Sequence, residues 1–237
     1  MIPIKDDNYR RHFPVITVLL ILINVAVFIY QWHLGPGARA FVYRMGAIPW
    51  EITHFEELPG LEQAYQTGLP PMITIFTAMF LHGGLLHLLG NMLYLWIFGD
   101  NVEALMGPGR FLFFYLGCGF LAAATHVITA PDSMVPMIGA SGAVSGVLGA
   151  YFLRFPRAKV HVLVIILFFI RIVRIPALFV LGFWFVMQVL SGTGSLGSSG
   201  PGDVAWFAHI GGFISGILLV MLFEKKERVR IYRRAGW

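Results

Sequence analysis

Charge is what this sequence has least of. Asp, Glu, Lys and Arg make up 12% of its 237 residues, against roughly 25% in soluble domains, too few to solvate an ordinary globular surface. Cysteine is almost missing as well. A single residue, Cys118, excludes an intramolecular disulfide and a cysteine-rich metal site, and it reads as a small buried side chain. No HExxH metal motif occurs, no repeat is evident, and no low-complexity tract appears beyond one Gly/Ser-rich loop. What fills the chain is apolar: 57% of residues are hydrophobic and the mean hydropathy is +0.75. That is the composition of an integral membrane protein. The net charge is +5. In such a chain a basic balance points to loops held on the cytoplasmic side, and nucleic-acid binding is not expected.

A spanning helix needs about 20 mostly apolar residues, and six stretches qualify. They are 14–32, a segment within 72–98 that starts near Leu81, 111–128, about 135–153, a segment within 160–190, and 204–223. Arg171 and Arg174 interrupt the fifth, so its span is placed at 175–190. Residues 160–170 are then a short interfacial element, because 11 residues cannot cross as a helix. The expected fold class is an all-α membrane protein, a bundle of six transmembrane helices forming one domain over 1–237. It has a short N-tail (1–13), an external loop (33–71) and a basic C-tail (224–237). With the N-terminus cytoplasmic and the spans alternating, 15 of the 17 lysines and arginines fall inside, leaving Arg39 and Arg44 outside. This asymmetry puts both termini in the cytoplasm. The first span follows a basic flank but lacks a small-residue cleavage pattern, so it reads as an uncleaved anchor. Residues 191–203, SGTGSLGSSGPGD, form a connector that is flexible by composition.

Polar groups inside spans are expensive and mark function. Here they are His82, His87, Asn91, Ser141, Ser145 and His209. Asn24 and Gln188 are lone polar residues that read as packing or interhelical hydrogen bonds. The second, fourth and sixth spans all enter from the outside. Counted from their expected starts, His87, Ser141 and His209 sit at a similar depth, roughly 7–10 Å along their helices. Asn91 lies one turn beneath His87 on the same side. Gly142, Gly146 and Gly149 or Ala150 form a small-residue face on the fourth span, and Ala208, Gly212 and Gly216 form one on the sixth. Where such faces meet, backbones approach closely, and Ser141 comes within reach of His209. A serine hydroxyl needs a neighbouring base to become a nucleophile, and a histidine titrates in the right range. The oxyanion formed in acyl transfer needs donors. His87, Asn91 and the N–H groups at the positive end of the fourth helix are the candidates. No acidic partner accompanies His209 at this depth, so the expectation is a dyad. Ser145, a turn deeper, belongs with the packing residues.

Three segments, HGGLLHLLGN at 82–91, GASG at 139–142 and AHIGGFISG at 208–216, together resemble the rhomboid intramembrane serine proteases. The resemblance covers residues 72–223. It implies Ser141 as nucleophile, His209 as general base, and His87 and Asn91 near the oxyanion, with no metal and no cofactor. His82 matches a further family histidine, and Glu103 in GDNVEALMGPG matches a family glutamate; both roles are structural. The resemblance also makes the fifth helix and residues 191–203 a substrate gate and cap. There are two departures. Ile73 and Thr74 stand where many members carry Trp-Arg. Ser145 stands where some carry a tyrosine stacked on the catalytic histidine.

The implied partners are transmembrane substrates entering laterally from the lipid bilayer and cut near its outer boundary; no oligomeric state is assigned. An escort without proteolytic activity is a competing class, but catalytically dead relatives lose the serine or the histidine, and this chain keeps both. A metal site built from His82, His87 and His209 lacks an accompanying carboxylate, and a proton path leaves Ser141 unexplained. The lack of a transit-peptide pattern points to a prokaryotic cytoplasmic membrane, with the site open to its outer face.

Overall fold

The computed structural model describes residues 2–8, 13–60, 62–66, 68–166, 169–194, 205–226 and 228. Arg10, Arg11, the C-tail beyond 228 and most of the expected cap, 195–203, lie outside the described residues. Nine helices are described: α1 (Val15–His33), α2 (Ala38–Met45), α3 (Pro49–His54), α4 (Pro71–Ala78), α5 (Leu85–Met106), α6 (Pro108–Thr129), α7 (Ser141–Arg154), α8 (Ala177–Gly194) and α9 (Trp206–Phe223). Four of them, α1, α6, α8 and α9, are long and apolar enough to cross a membrane. Helix α5 has the length but carries Asp100, Asn101 and Glu103 near its end. At 14 residues, α7 rises only ~21 Å.

Two expected boundaries move. The fourth span, placed at about 135–153, begins as a helix only at Ser141. Pro136 and Gly139, whose φ is +120°, hold the preceding segment extended, and Met137 exchanges backbone hydrogen bonds with Ala47. The second adds a small three-stranded sheet to a mostly helical fold. The expected interfacial element at 160–170 falls on two antiparallel strands, β2 (Lys159–Ile166) and β3 (Phe169–Pro176), and β1 (Ile2–Asp6) pairs with β2 as a third antiparallel strand. The cause is local. Val160, Val162 and Val164 alternate along β2, opposite Ile175, Val173 and Arg171 of β3. β-Branched side chains fit a pleated surface better than a helix. The Val160 and Val162 side chains are buried in the main core.

That core surrounds α7, where every residue from Ala143 to Tyr151 is buried. Phe98 of α5, Phe111, Phe114 and Tyr115 of α6, and Tyr151 of α7 are its largest fully buried side chains besides Phe155. The outer helices are apolar on the opposite side too: Leu22, Leu86, Phe113, Phe179 and Leu222 are exposed. No large apolar side chain of α7 is exposed. Apolar surface outside as well as inside is how a bundle meets lipid.

The two ends of the bundle differ. At one end the β-sheet, the α5–α6 turn and the end of α9 come together. Arg154 pairs with Glu224, and the Lys225 N–H donates to the Leu105 carbonyl. There too Glu103 accepts hydrogen bonds from the Ile16 N–H, the Thr17 N–H and the Thr17 hydroxyl at 2.8–3.0 Å. These are N–H groups that the first turn of α1 cannot satisfy itself, and its N-cap residue, Pro14, offers no side-chain hydrogen bond. At the other end lie the short helices α2 and α3 and the N-terminus of α7.

Candidate active site

Ser141 is the first residue of α7, His87 the third of α5 and His209 the fourth of α9. All three sit at or near helix starts rather than at positions well inside three spans. Ser141 gains from this. The first N–H groups of a helix have no partner within it, and they surround the serine at the positive end of the helix dipole.

Glycine brings α7 and α9 together. Added side chains would drive Gly149 into the Phe213 carbonyl, Gly212 into the Gly142 carbonyl and Gly216 into the Gly146 carbonyl. The two small-residue faces of α7 and α9 therefore meet backbone on backbone, as the spacing predicts. In this contact His209 Nε2 lies 2.8 Å from Ser141 Oγ. Gly139, just before the serine, has a positive φ that disfavours any side chain. A Cβ there would come within 2.8 Å of the His87 ring and 3.6 Å of Ser141 Oγ, so this glycine separates His87 from the serine with no room to spare. Asn91 spends one amide hydrogen on the His87 carbonyl at 3.0 Å, leaving a second. His87, Asn91, Gly139, Ser141 and His209 all line one cavity of about 640 Å³.

The remaining sequence candidates separate. Ser145 is buried and donates to the Ser141 carbonyl at 2.6 Å, a local helix contact. The backbone of His82 is clamped by Gln31 of α1, which accepts from its N–H and donates to its carbonyl. The His82 ring packs edge-on to that of His87, centroids 5.1 Å apart. Glu103 lies at the far end, capping α1. Asn24 is buried and bonds within its own helix, to the Leu20 carbonyl, which agrees with the packing alternative. Gln188 does reach another helix: its Oε1 lies 2.8 Å from His209 Nδ1. The sequence pattern marks Gln188 as polar and buried but does not identify its partner, which lies 21 residues away.

Residues 70–226 match the family model described as the Rhomboid domain. Among curated relatives, the chain is 31% identical to "Rhomboid protein 1, mitochondrial" of Saccharomyces cerevisiae. That match covers 96% of this chain and 60% of the yeast protein. It is 28% identical to the "Putative rhomboid protease YdcA" of Bacillus subtilis over 62% of this chain and 67% of that one. A shorter match, 42% identical over 32% of this chain and 14% of the relative, is to the "Rhomboid protease GluP" of the same bacterium. The chain thus spans about 60% of the length of its yeast relative.

Proposed function

The chain belongs to the rhomboid family, and we propose that it is an intramembrane serine endopeptidase that hydrolyses peptide bonds in or near the transmembrane segments of other proteins. It is an integral membrane protein. The single observation that carries the catalytic reading is the 2.8 Å contact between Ser141 Oγ and His209 Nε2 in the wall of a cavity. His209 takes the hydroxyl proton as Oγ attacks the scissile carbonyl. The tetrahedral oxyanion is met by donors from His87, the free amide hydrogen of Asn91 and the N–H groups at the start of α7. His209 then passes its proton to the departing amine, leaving an acyl group on Ser141. Water attacks that ester with His209 again as base, releasing the carboxyl product and the free serine.

The same reading counts six spans, adding α5 and α7 to the four most apolar helices, with both termini cytoplasmic. The positive residues support it: Lys5, Arg110, Arg154, Lys159, Arg171 and Lys225 belong to elements gathered at one end of the bundle. The site then opens to the opposite side, where substrate helices enter laterally. The membrane itself is not narrowed to a prokaryotic one, because the relatives are mitochondrial and bacterial alike.

The test is cleavage of a single-span reporter protein in proteoliposomes, with a fluorophosphonate probe for the nucleophile. The wild-type chain is expected to cut the reporter and to be labelled at Ser141. Ser141→Ala abolishes both, a loss on the order of 10³-fold or more. Undiminished cleavage by Ser141→Ala overturns the reading.

A further inference from the structure

We propose that Gln188 is the positioning residue of this site, fixing the tautomer and the plane of the His209 ring; the proposal rests on the reading of Ser141 and His209 as nucleophile and base. An imidazole can accept the serine proton at Nε2 only if its own proton sits on Nδ1. Which nitrogen carries the proton is set by the hydrogen bond the other one makes. At His209 that partner is the Gln188 side chain, 2.8 Å from Nδ1.

A carboxamide can present oxygen or nitrogen, and the two are told apart by the hydrogen-bond network around them. Here the network decides. The other end of the Gln188 amide lies 3.3 Å from the Trp184 carbonyl, which can only accept, so Nε2 points there and Oε1 points to the histidine. Oε1 can only accept in turn, so His209 must donate from Nδ1. The lone pair of Nε2 is then left facing Ser141 Oγ. The chain of polarity runs from the α8 backbone through Gln188 and His209 to the serine, with one direction available at each step.

The ring is held on its flanks as well. Trp184 lies tilted by 35° with its centroid 6.1 Å from that of His209, and Trp206 meets the ring edge-on at the same distance. Trp184 and Gln188 are one turn apart on α8 and so share a face. Ser145, one turn after Ser141, donates its hydroxyl to the Ser141 carbonyl, and the group found at His209 Nδ1 is Gln188. Among the described residues, the titratable groups that face His209 are His87 on α5 and His126 on α6, and neither is an acid. A neutral carboxamide suits an apolar bundle. It orients the base without burying a second charge, whose desolvation is costly before any pairing.

The experiment compares Gln188→Met, which keeps volume but removes the acceptor, with Gln188→Glu, which keeps the acceptor and adds a charge. Both are read as kcat and KM on the single-span reporter, as fluorophosphonate labelling rate, and as the pH profile of kcat/KM. Gln188→Met is expected to lower kcat and the labelling rate together, by at least about 10-fold, with KM within about twofold. Gln188→Glu is expected to retain the greater part of kcat. Its acid limb should move to higher pH by roughly one unit or more, because a carboxylate at Nδ1 favours the imidazolium. Wild-type kcat and labelling in Gln188→Met overturn the proposal. Should that variant fail to fold, an acid limb in Gln188→Glu that stays where the wild type has it overturns the proposal by itself. Failure of the underlying protease reading looks different: the wild-type chain would then neither cut the reporter nor take the label at Ser141.

Discussion

At the scale of single residues, geometry around Ser141 leaves almost no tolerance. Gly139 combines a φ of +120° with a gap that a methyl group would close against the His87 ring. Gly139→Ala therefore has to move the loop, the ring or the serine. A displacement near 1 Å at reacting atoms costs on the order of 10²-fold in rate. The expected outcome is a variant that still folds, with unchanged thermal unfolding in detergent to within a few degrees, but with fluorophosphonate labelling reduced by about that factor. Unchanged labelling would show that the loop relaxes without disturbing the serine. The two serines that look alike in GASGAVSG differ for an equally local reason. The first residue of a helix has free N–H groups around it. A residue one turn on has a carbonyl within reach of its hydroxyl, and Ser145 uses it.

At the scale of elements, the decisive contact is α7 against α9. Dispersion attraction and close backbone approach hold helices together where lipid removes the hydrophobic advantage of burial. Here Gly149, Gly212 and Gly216 each face a carbonyl of the opposite helix. Gly212→Ala should separate the pair locally. Thermal unfolding in detergent is expected to show a loss of about 1–3 kcal/mol, the usual cost of an extra carbon in a filled contact. Activity should fall too, because His209 rides on α9 three residues before this glycine. Stability equal to wild type would mean that the helices are not seated as described. Helix α1 is secured by different means. It is capped by Glu103 of α5, which explains why a carboxylate is buried in an apolar bundle far from the cavity.

At the scale of the whole molecule, the β-sheet ties the N-terminal strand to the connection between α7 and α8, and so couples the chain's first residues to the two helices that carry Ser141 and Gln188. Tyr151 and Asn101 both bond Asp6, the last residue of that strand, which pairs with Val160 of β2. The next residue, Asp7, accepts from His161 of β2 at 2.6 Å. That hydrogen bond, chiefly, holds the Asp7 carboxyl below its usual range. A lowered folded-state value means stability that is present above the unfolded carboxylate value near 3.9 and lost as pH falls through the folded one. His161→Ala should therefore unfold earlier than wild type at pH 6, by about 1 kcal/mol for a pair whose carboxylate is exposed. The difference should shrink by pH 3. Thermal unfolding across that range checks it, and a difference that grows toward low pH contradicts it.

Much of this was legible in the sequence. Hydropathy, the small-residue faces, and the grouping of Ser141, His87, Asn91 and His209 all follow from residue type and spacing, because a helix converts spacing into direction. The strands at 159–166 and 169–176 are not read from the sequence, because the apolar run they sit in resembles a span by composition; the β-branched alternation along β2 is the signal that marks them. Tertiary structure decided the rest. It placed the start of α7 at Ser141, because Gly139 and the Ala47–Met137 pairing hold the preceding loop open. It also gave His209 a partner in Gln188, a contact that depends on how α8 docks against α9 and that no local pattern in either helix contains.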